Sequence, residues 1–160
     1  FDLEKADTLT AAALEGVDTV IHLAARVHVA RAVADENRRL WQSNVVATDA
    51  LARVAAEAGV RRFIFMSSIK VHGERTGERP FAPSDAPAPQ DPYARSKLAA
   101  EDALRKRGEA TGLEVAIVRP PLVYAPGVGA NFRRLLACVA RRVPLPLAAA
   151  SSCMAAVPLA

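Results

Sequence analysis

The sequence of 160 residues predicts an α/β fold in which helices flank a parallel β-sheet. Three short, largely apolar runs have the pattern of strands buried on both faces, and helical patterns separate them along the chain. Alternating strands and helices are the signature of βαβ units, whose strands lie parallel. Ligands of such sheets bind beyond the carboxyl ends of the strands. The residues that follow each predicted strand are therefore candidates for a functional site.

The predicted elements alternate in type from the start of the chain. In order they are a helix, a strand, a helix, a strand, a helix, a strand and a helix, over residues 6–16, 17–25, 34–58, 62–68, 92–108, 113–119 and 131–142. The first strand ends in the small residues Ala24 and Ala25, which would let a ligand approach the backbone closely. The second ends in the hydroxyl groups of Ser67 and Ser68. All of these residues are expected at one edge of the sheet.

A long loop, residues 69–91, leads into the central helix, and a loop of this length in a compact domain is usually functional or disordered. Asp91 is a suitable N-cap and Pro92 suits the first helical position. Tyr93 and Lys97 then stand four residues apart on one helix face. A phenol with a pKa near 10 is a poor proton shuttle at neutral pH, and a nearby ammonium favours the phenolate. Taken alone, the pair also fits a solvent-exposed helix face.

Composition excludes several classes of function. The net charge of +4 is carried partly by scattered arginine pairs with no interleaved aromatics, which argues against a nucleic-acid partner. Cys138 and Cys153 are too few for a disulfide framework, and no ligand spacing indicates a metal. No apolar run reaches the ~18 residues of a membrane span. The chain begins at Phe1 without a signal peptide, which favours a fragment or processed product and a cytoplasmic location.

A dinucleotide-binding glycine motif is missing from this sequence. Such a motif reads G-x-G-x-x-G between a strand and a helix. Gly127 and Gly129 give its first half, but Phe132 occupies the last position and the segment follows a late strand. We interpret this segment as a turn.

Three stretches taken together resemble one family, and they are Asp18–Ala25, Phe63–Gly73 and Asp91–Lys97. The family is that of the extended short-chain dehydrogenases/reductases, the NAD-dependent epimerases and dehydratases that act on nucleotide sugars. The resemblance runs from Asp2 to about Leu147. It implies that residues 1–147 are a partial, Rossmann-like NAD(P)-binding domain, incomplete at the N-terminus and truncated in the C-terminal substrate region. Residues 148–160 are interpreted as a divergent apolar tail.

The resemblance also implies roles for individual residues. Tyr93 matches the general acid/base, Ser68 the hydroxyl that bonds the substrate oxygen, and Lys97 the cation that binds the ribose and tunes Tyr93. The implied site for NAD, with NADP left open, comprises Asp2, Leu3, Leu23, Ala24, Ala25, Arg26, Asn44, Tyr93, Lys97 and Pro121. The implied substrate contacts are Ser68, Leu122 and Asn131. Two alternatives stay open, because Ser68 also fits a hydroxyl bonded to nearby backbone and Asn44 fits a solvated helix residue.

The run from Ser67 to Gly73 is most similar to a branch of 4-epimerases and 4-keto-reductases of UDP-sugars. Lys70 stands where dehydratases carry an acidic residue, which disfavours dehydration, and His72 replaces the usual tyrosine. The resemblance therefore implies a UDP-linked sugar as substrate, and a homodimer of the full-length protein stays possible. The alternative hypothesis is an inactive fragment or a non-catalytic interaction piece. Because the glycine motif is missing, we expect this chain by itself to bind NAD weakly and to be inactive.

Overall fold

The structure is a computed structural model and describes residues 8–27, 35–76, 79–124, 130–142 and 156–158. The chain divides into two compact units, Phe1–Arg119 and Pro120–Ala160. In the described part of the chain, no helix has both the length and the apolar character needed to cross a membrane.

The first unit contains a three-stranded parallel sheet, as the sequence predicts. Its strands, in the order β1-β2-β3, are β1 (Thr19–His22), β2 (Arg62–Met66) and β3 (Glu114–Val118). The register places His22 beside Phe65 and Phe65 beside Ile117. Consequently the chain leaves β1 and β2 at the same edge of the sheet. The predicted fold class, a Rossmann-like parallel sheet flanked by helices, is confirmed.

The helix predicted over residues 34–58 consists of three segments. They are α1 (Glu36–Trp41), a π-helical segment (Gln42–Val46) and α2 (Ala47–Glu57). The apolar spacing predicts a helix but does not reveal the wider turn in its middle. Single π-helical turns of this kind occur frequently at functional sites. Asn44 lies inside this turn and is almost completely buried.

The central helix is α3 (Pro92–Thr111), and its first turn is formed as predicted. The Asp91 carboxylate accepts a hydrogen bond from the backbone N–H of Ala94 at 2.6 Å. The helix runs past its predicted end at Gly108. A Cβ atom at that position would lie 2.8 Å from the Leu113 carbonyl oxygen, so glycine there permits close packing rather than ending the helix. The end comes at Gly112, whose φ of 79° is in the left-handed region.

The hydrophobic core lies between one face of the sheet and the helices α2 and α3. Phe63 and Phe65 of β2 are fully buried there. They pack with small and aliphatic side chains from the two helices and the adjoining loops, namely Ala52, Ala55, Val60, Ala100, Leu104 and Leu113. A short 3-10 turn, Ala11–Leu14, occupies the described part of the predicted first helix. It has no side-chain N-cap bond, and Gly16 with φ 75° ends it early.

The second unit contains helix α4 (Ala130–Ala140) and two parallel strands, β4 (Leu122–Tyr124) and β5 (Ala156–Pro158). The sequence predicts α4 but neither strand, since runs of three residues are too short to show a period. Strand β5 falls within residues 148–160, which the sequence analysis assigns to an apolar tail. The division of the chain at residue 147 stays a prediction.

Candidate active site

The carboxyl end of β2 provides the predicted hydroxyl group. Ser68 follows the strand and caps a 3-10 turn, Ile69–His72, that packs against α3. Its Oγ accepts a hydrogen bond from the Lys70 backbone N–H at 3.3 Å, so the local role considered for Ser68 is present. A hydroxyl has a second lone pair and an O–H donor. The capping bond therefore still leaves Ser68 able to bind a ligand oxygen.

Tyr93 lies in the first turn of α3 and is half-buried. Burial raises the pKa of its hydroxyl, the negative charge of Asp91 raises it further, and the positive charge of Lys70 acts in the opposite direction. The expected lowering of the Tyr93 pKa by Lys97 is not found. Tyr93 is therefore protonated at neutral pH, which is the form that donates a proton.

Lys97 lies one turn further along α3, and its side chain is only 1% exposed. Its ammonium is 4.0 Å from the centre of the Phe65 ring. Burial lowers the pKa of Lys97 from 10.5 to about 8, and the negative charge of Glu101 partly opposes that shift. The pair predicted on one helix face thus differs from a surface pair, because one member is buried and the other half-buried.

The loop after β1 is held by Asn44. The Asn44 Oδ1 accepts a hydrogen bond from the Arg26 backbone N–H at 2.8 Å, and its Nδ2 donates to the Arg26 carbonyl oxygen at 2.9 Å. The same Nδ2 donates to Ser96 Oγ on α3 at 2.9 Å. Both donor hydrogens of the amide are thereby used. Asn44 therefore fixes the loop against the central helix and is not a solvated helix residue.

Other predicted cofactor-binding residues lie on this loop. Leu23 and Ala24 are exposed at the carboxyl end of β1, and Ala25 is half-buried. The Arg26 guanidinium forms an ion pair with Glu36 of α1, with Nε 3.0 Å from Oε1. The surface offered to a ligand at this edge is thus mainly apolar side chain and backbone.

Lys70 connects the turn after Ser68 to the start of α3. Its ammonium lies 2.6 Å from the Asp91 carboxylate and 3.0 Å from that of Glu74. Asp91 also caps α3 through Ala94. The Lys70–Asp91 pair therefore ties the segment that carries Ser68 to the helix turn that carries Tyr93.

A buried ionic network supports the same edge and was missed by the sequence analysis. Glu101, on α3, has no exposed surface and accepts a hydrogen bond from Ser67 Oγ at 2.5 Å. Its carboxylate also binds the guanidinium groups of Arg119 and Arg105. Burial alone would raise the pKa of Glu101, but the bonds from Arg119 and Ser67 outweigh it and keep the pKa below its usual range.

Two features of the sequence indicate this network in retrospect. Glu101 continues the four-residue spacing of Tyr93 and Lys97, which places it on the same helix face. Arg119 is a charged residue at the end of the third predicted strand, at the edge where ligands bind. In the described part of the chain, no cluster of side chains could hold a metal ion.

The remaining predicted site residues lie outside the described residues or in the second unit. Asp2 and Leu3 lie outside the described residues. Pro121 and Leu122 belong to the second unit, where Pro121 is half-buried and Leu122 is exposed. Asn131 lies in α4, and its side chain is outside the described part. The roles of these residues stay predictions.

The parallel sheet flanked by helices places the chain in the Rossmann-like fold class. Residues 1–149 match the model of the NAD dependent epimerase/dehydratase family. The chain belongs to that family.

Similar proteins come from both sequence and structure. A UDP-glucose 4-epimerase of Vibrio cholerae is 44% identical over 135 residues, which are 83% of this chain and 41% of that protein. A dTDP-glucose 4,6-dehydratase of Streptomyces venezuelae, solved with NAD, superposes with a TM-score of 0.76 at 30% identity, covering 92% of this chain and 45% of that one. A UDP-glucuronic acid 4-epimerase of Bacillus cereus was solved with UDP-glucuronic acid and NAD. It superposes with a TM-score of 0.75 at 25% identity, covering 91% of this chain and 46% of that one. The chain thus spans less than half the length of these relatives.

The substitution Asn44→Ala tests the hydrogen bonds that connect helix α3 to the loop that follows β1. This substitution leaves the Arg26 N–H and carbonyl groups without their partner, and we expect a loss of about 1–3 kcal/mol of unfolding free energy. Urea denaturation measures that loss. The matched control is Asn37→Ala, which removes an exposed amide from α1. Equal stability of the two variants would contradict the role assigned to Asn44.

Proposed function

We propose that the protein is an NAD-dependent oxidoreductase that acts at carbon 4 of a UDP-linked hexose, as a 4-epimerase or a 4-keto-reductase. The observation that carries the proposal is the buried ammonium of Lys97, one turn from Tyr93 at the edge where Ser68 follows β2. The 44% identity to a UDP-glucose 4-epimerase supports the choice of substrate class.

The described residues fit a nicotinamide dinucleotide at this edge. The loop after β1 exposes Leu23 and Ala24, and Asn44 holds its backbone in place. The Lys97 ammonium makes no hydrogen bond or ion pair within the described part of the chain, so its N–H groups are free to donate to ribose hydroxyls. When bound, NAD supplies the hydride acceptor, and NADH the hydride donor, at carbon 4 of the sugar.

The side chains divide the proton transfer between them. Tyr93, protonated at neutral pH, donates its proton to a 4-keto oxygen as that oxygen gains negative charge, and the reverse step takes the proton from the 4-hydroxyl. Ser68 donates a hydrogen bond that orients the same oxygen. The positive charge of Lys70, which acts to lower the pKa of Tyr93, favours the phenolate that Tyr93 becomes after donation.

Lys70 makes dehydration a less favoured activity for this protein than epimerisation or keto reduction. Its ammonium is held by Asp91 and Glu74 and lacks the basic carboxylate that removal of a carbon-bound proton requires. Its charge lowers the pKa of Tyr93, which acts against burial. The residue therefore assists the tyrosine and does not replace the acidic group of the dehydratases.

The proposal is tested on the protein expressed from its complete gene. UDP-glucose, UDP-galactose, their N-acetylated and uronic acid counterparts and UDP-4-keto sugars are incubated with NAD or NADH, and the products are separated by chromatography. We expect either interconversion of a pair of 4-epimers without net use of NAD, or oxidation of NADH by a 4-keto sugar. Absence of both reactions over the whole panel would contradict the proposal and favour the non-catalytic alternative.

A further inference from the structure

The contact between Lys97 and Phe65 is unusual for a buried ammonium. Both side chains are almost fully buried, and the ammonium lies 4.0 Å from the ring centre. Lysine is almost never fully buried without a charged partner. The nearest acidic group along the same helix face is Glu101, whose oxygens are occupied by Ser67, Arg105 and Arg119. The face of an aromatic ring thus takes the place that a carboxylate would normally occupy.

We propose that Phe65 is a positioning residue that holds the Lys97 ammonium charged and in place while leaving its N–H groups for ligands. This inference rests on the function proposed above. A carboxylate partner would accept the N–H groups of the ammonium and compete with ribose hydroxyls. An aromatic face attracts the cation through its quadrupole and accepts no strong hydrogen bond from it.

His22 is a second neighbour of the Phe65 ring. Its imidazole stacks on Phe65 with ring centres 5.8 Å apart and an interplanar angle of 24°. It is buried and hydrogen-bonded to Thr48 at 3.0 Å. Burial lowers the pKa of His22 to about 4, and the charge of Lys97 acts in the same direction. His22 is therefore neutral at physiological pH and adds no positive charge near Lys97.

Several charged groups on the elements packed against α3 form ion pairs with other residues. Glu36 of α1 pairs with Arg26, Asp49 of α2 pairs with Arg107, Lys70 pairs with Asp91 and Glu74, and Glu101 binds its two arginines. The π-helical segment contributes only the uncharged Ser43 and Asn44. Tyr93 is protonated at neutral pH and therefore adds no charge.

The chain contains a matched control for Phe65. Phe63 lies two residues earlier on β2 and is equally buried. The centre of its ring is 5.9 Å from the centre of the His22 ring. The cation–π contact of Lys97, however, is with Phe65. Phe65→Leu and Phe63→Leu therefore remove the same ring volume from the same strand, but the first alone removes the ring beneath the ammonium.

The first measurement is the pKa of Lys97 by NMR, followed at its 15Nζ and 13Cε nuclei without cofactor or substrate. Loss of the ring face disfavours the ammonium, so in Phe65→Leu we expect the pKa to fall by about one unit, a tenfold change in proton affinity. In Phe63→Leu we expect a change below roughly 0.2 units, because that ring is not in contact with the ammonium. Equal pKa values in the two variants would overturn the proposal.

A second substitution keeps the test decisive if Phe65→Leu does not fold. Incorporation of 3,4,5-trifluorophenylalanine at position 65 by nonsense suppression weakens the ring quadrupole with little change of size. It should lower the Lys97 pKa in the same direction, and an unchanged value would overturn the proposal. In the active protein, the basic limb of the kcat/KM profile should move to lower pH with it.

The two proposals fail in distinguishable ways. The NMR pKa does not require turnover, so a shift confined to the position 65 variants supports the role of Phe65 even if no UDP-sugar is converted. Conversion of a UDP-sugar with no shift in those variants supports the proposed function and overturns the role of Phe65.

Discussion

Replacing Tyr93 by Phe is expected to lower kcat of the complete protein by about 10²–10⁴-fold, the range that general acid–base catalysis contributes. The substitution removes only the hydroxyl that we propose donates the proton to the 4-keto oxygen. Its ring and the α3 backbone remain, and the N-cap bond from Ala94 to Asp91 does not involve the tyrosine side chain. The Kd for NAD should therefore stay within a few-fold of the wild-type value, so the loss appears in kcat.

Steady-state kinetics with the substrate found in the panel, together with calorimetry for NAD, measure both quantities. The matched control is Tyr124→Phe, which removes the hydroxyl of the only other tyrosine in the sequence, in the second unit. If the Tyr93→Phe protein had the kcat of the wild type, Tyr93 would not be the proton donor. If Tyr124→Phe lost kcat to the same extent, the loss in Tyr93→Phe could not be attributed to removal of a specific proton donor.

Replacing Glu101 by Ala is expected to cost about 3–5 kcal/mol of unfolding free energy, the largest stability effect we expect from a single substitution in the described structure. The carboxylate has no exposed surface and accepts hydrogen bonds from Ser67, Arg105 and Arg119. Its removal leaves the Arg119 guanidinium, which is only 14% exposed, without its countercharge. Urea denaturation at neutral pH measures this loss.

Two comparisons make the Glu101 test specific. Asp102→Asn removes an exposed carboxylate that binds the same Arg105 from the next position of α3, and we expect it to cost below about 1 kcal/mol. The second comparison uses pH. Because the pKa of Glu101 is held below its ordinary value of 4.5, its stabilising contribution is present above that value and is lost as the pH falls below it.

The stability difference between the wild type and Glu101→Gln should accordingly shrink as the pH falls below about 4.5, the ordinary value of the carboxyl. A difference that stays constant from pH 7 to well below about pH 4.5 would mean that the ionised carboxylate is not the source of the stability. Wild-type stability in Glu101→Ala would contradict the network altogether.

The local pattern of the sequence predicts much of the candidate site. The N-cap at Asp91, the proline after it, and the four-residue spacing of Tyr93 and Lys97 depend only on neighbouring residues and on helix geometry, and the helix forms as predicted. The sheet is equally local in origin, because short apolar strands alternating with helices leave a parallel arrangement as the compact solution. Ser68 follows from the end of one such strand.

Burial and long-range pairing required the tertiary structure. Spacing puts Lys97 on the face of Tyr93, but it cannot show that this face is turned onto Phe65, because the partner is 32 positions away in the sequence. The pKa of Tyr93 illustrates the consequence. Spacing alone suggests that a neighbouring ammonium lowers it, whereas burial in the folded chain raises it. Asn44 likewise acquires its role only when β1 and α3 are brought together.

The sequence by itself determined the α/β class, the family and the residues at the strand ends and in the first turn of α3. These depend on periodicity and capping, whose interactions span a few residues. Only the tertiary structure decided which charges are buried, that Glu101 binds Ser67 and two arginines, and that an aromatic ring faces the Lys97 ammonium. The physical reason is that desolvation and electrostatic pairing depend on distances between segments that are remote along the chain.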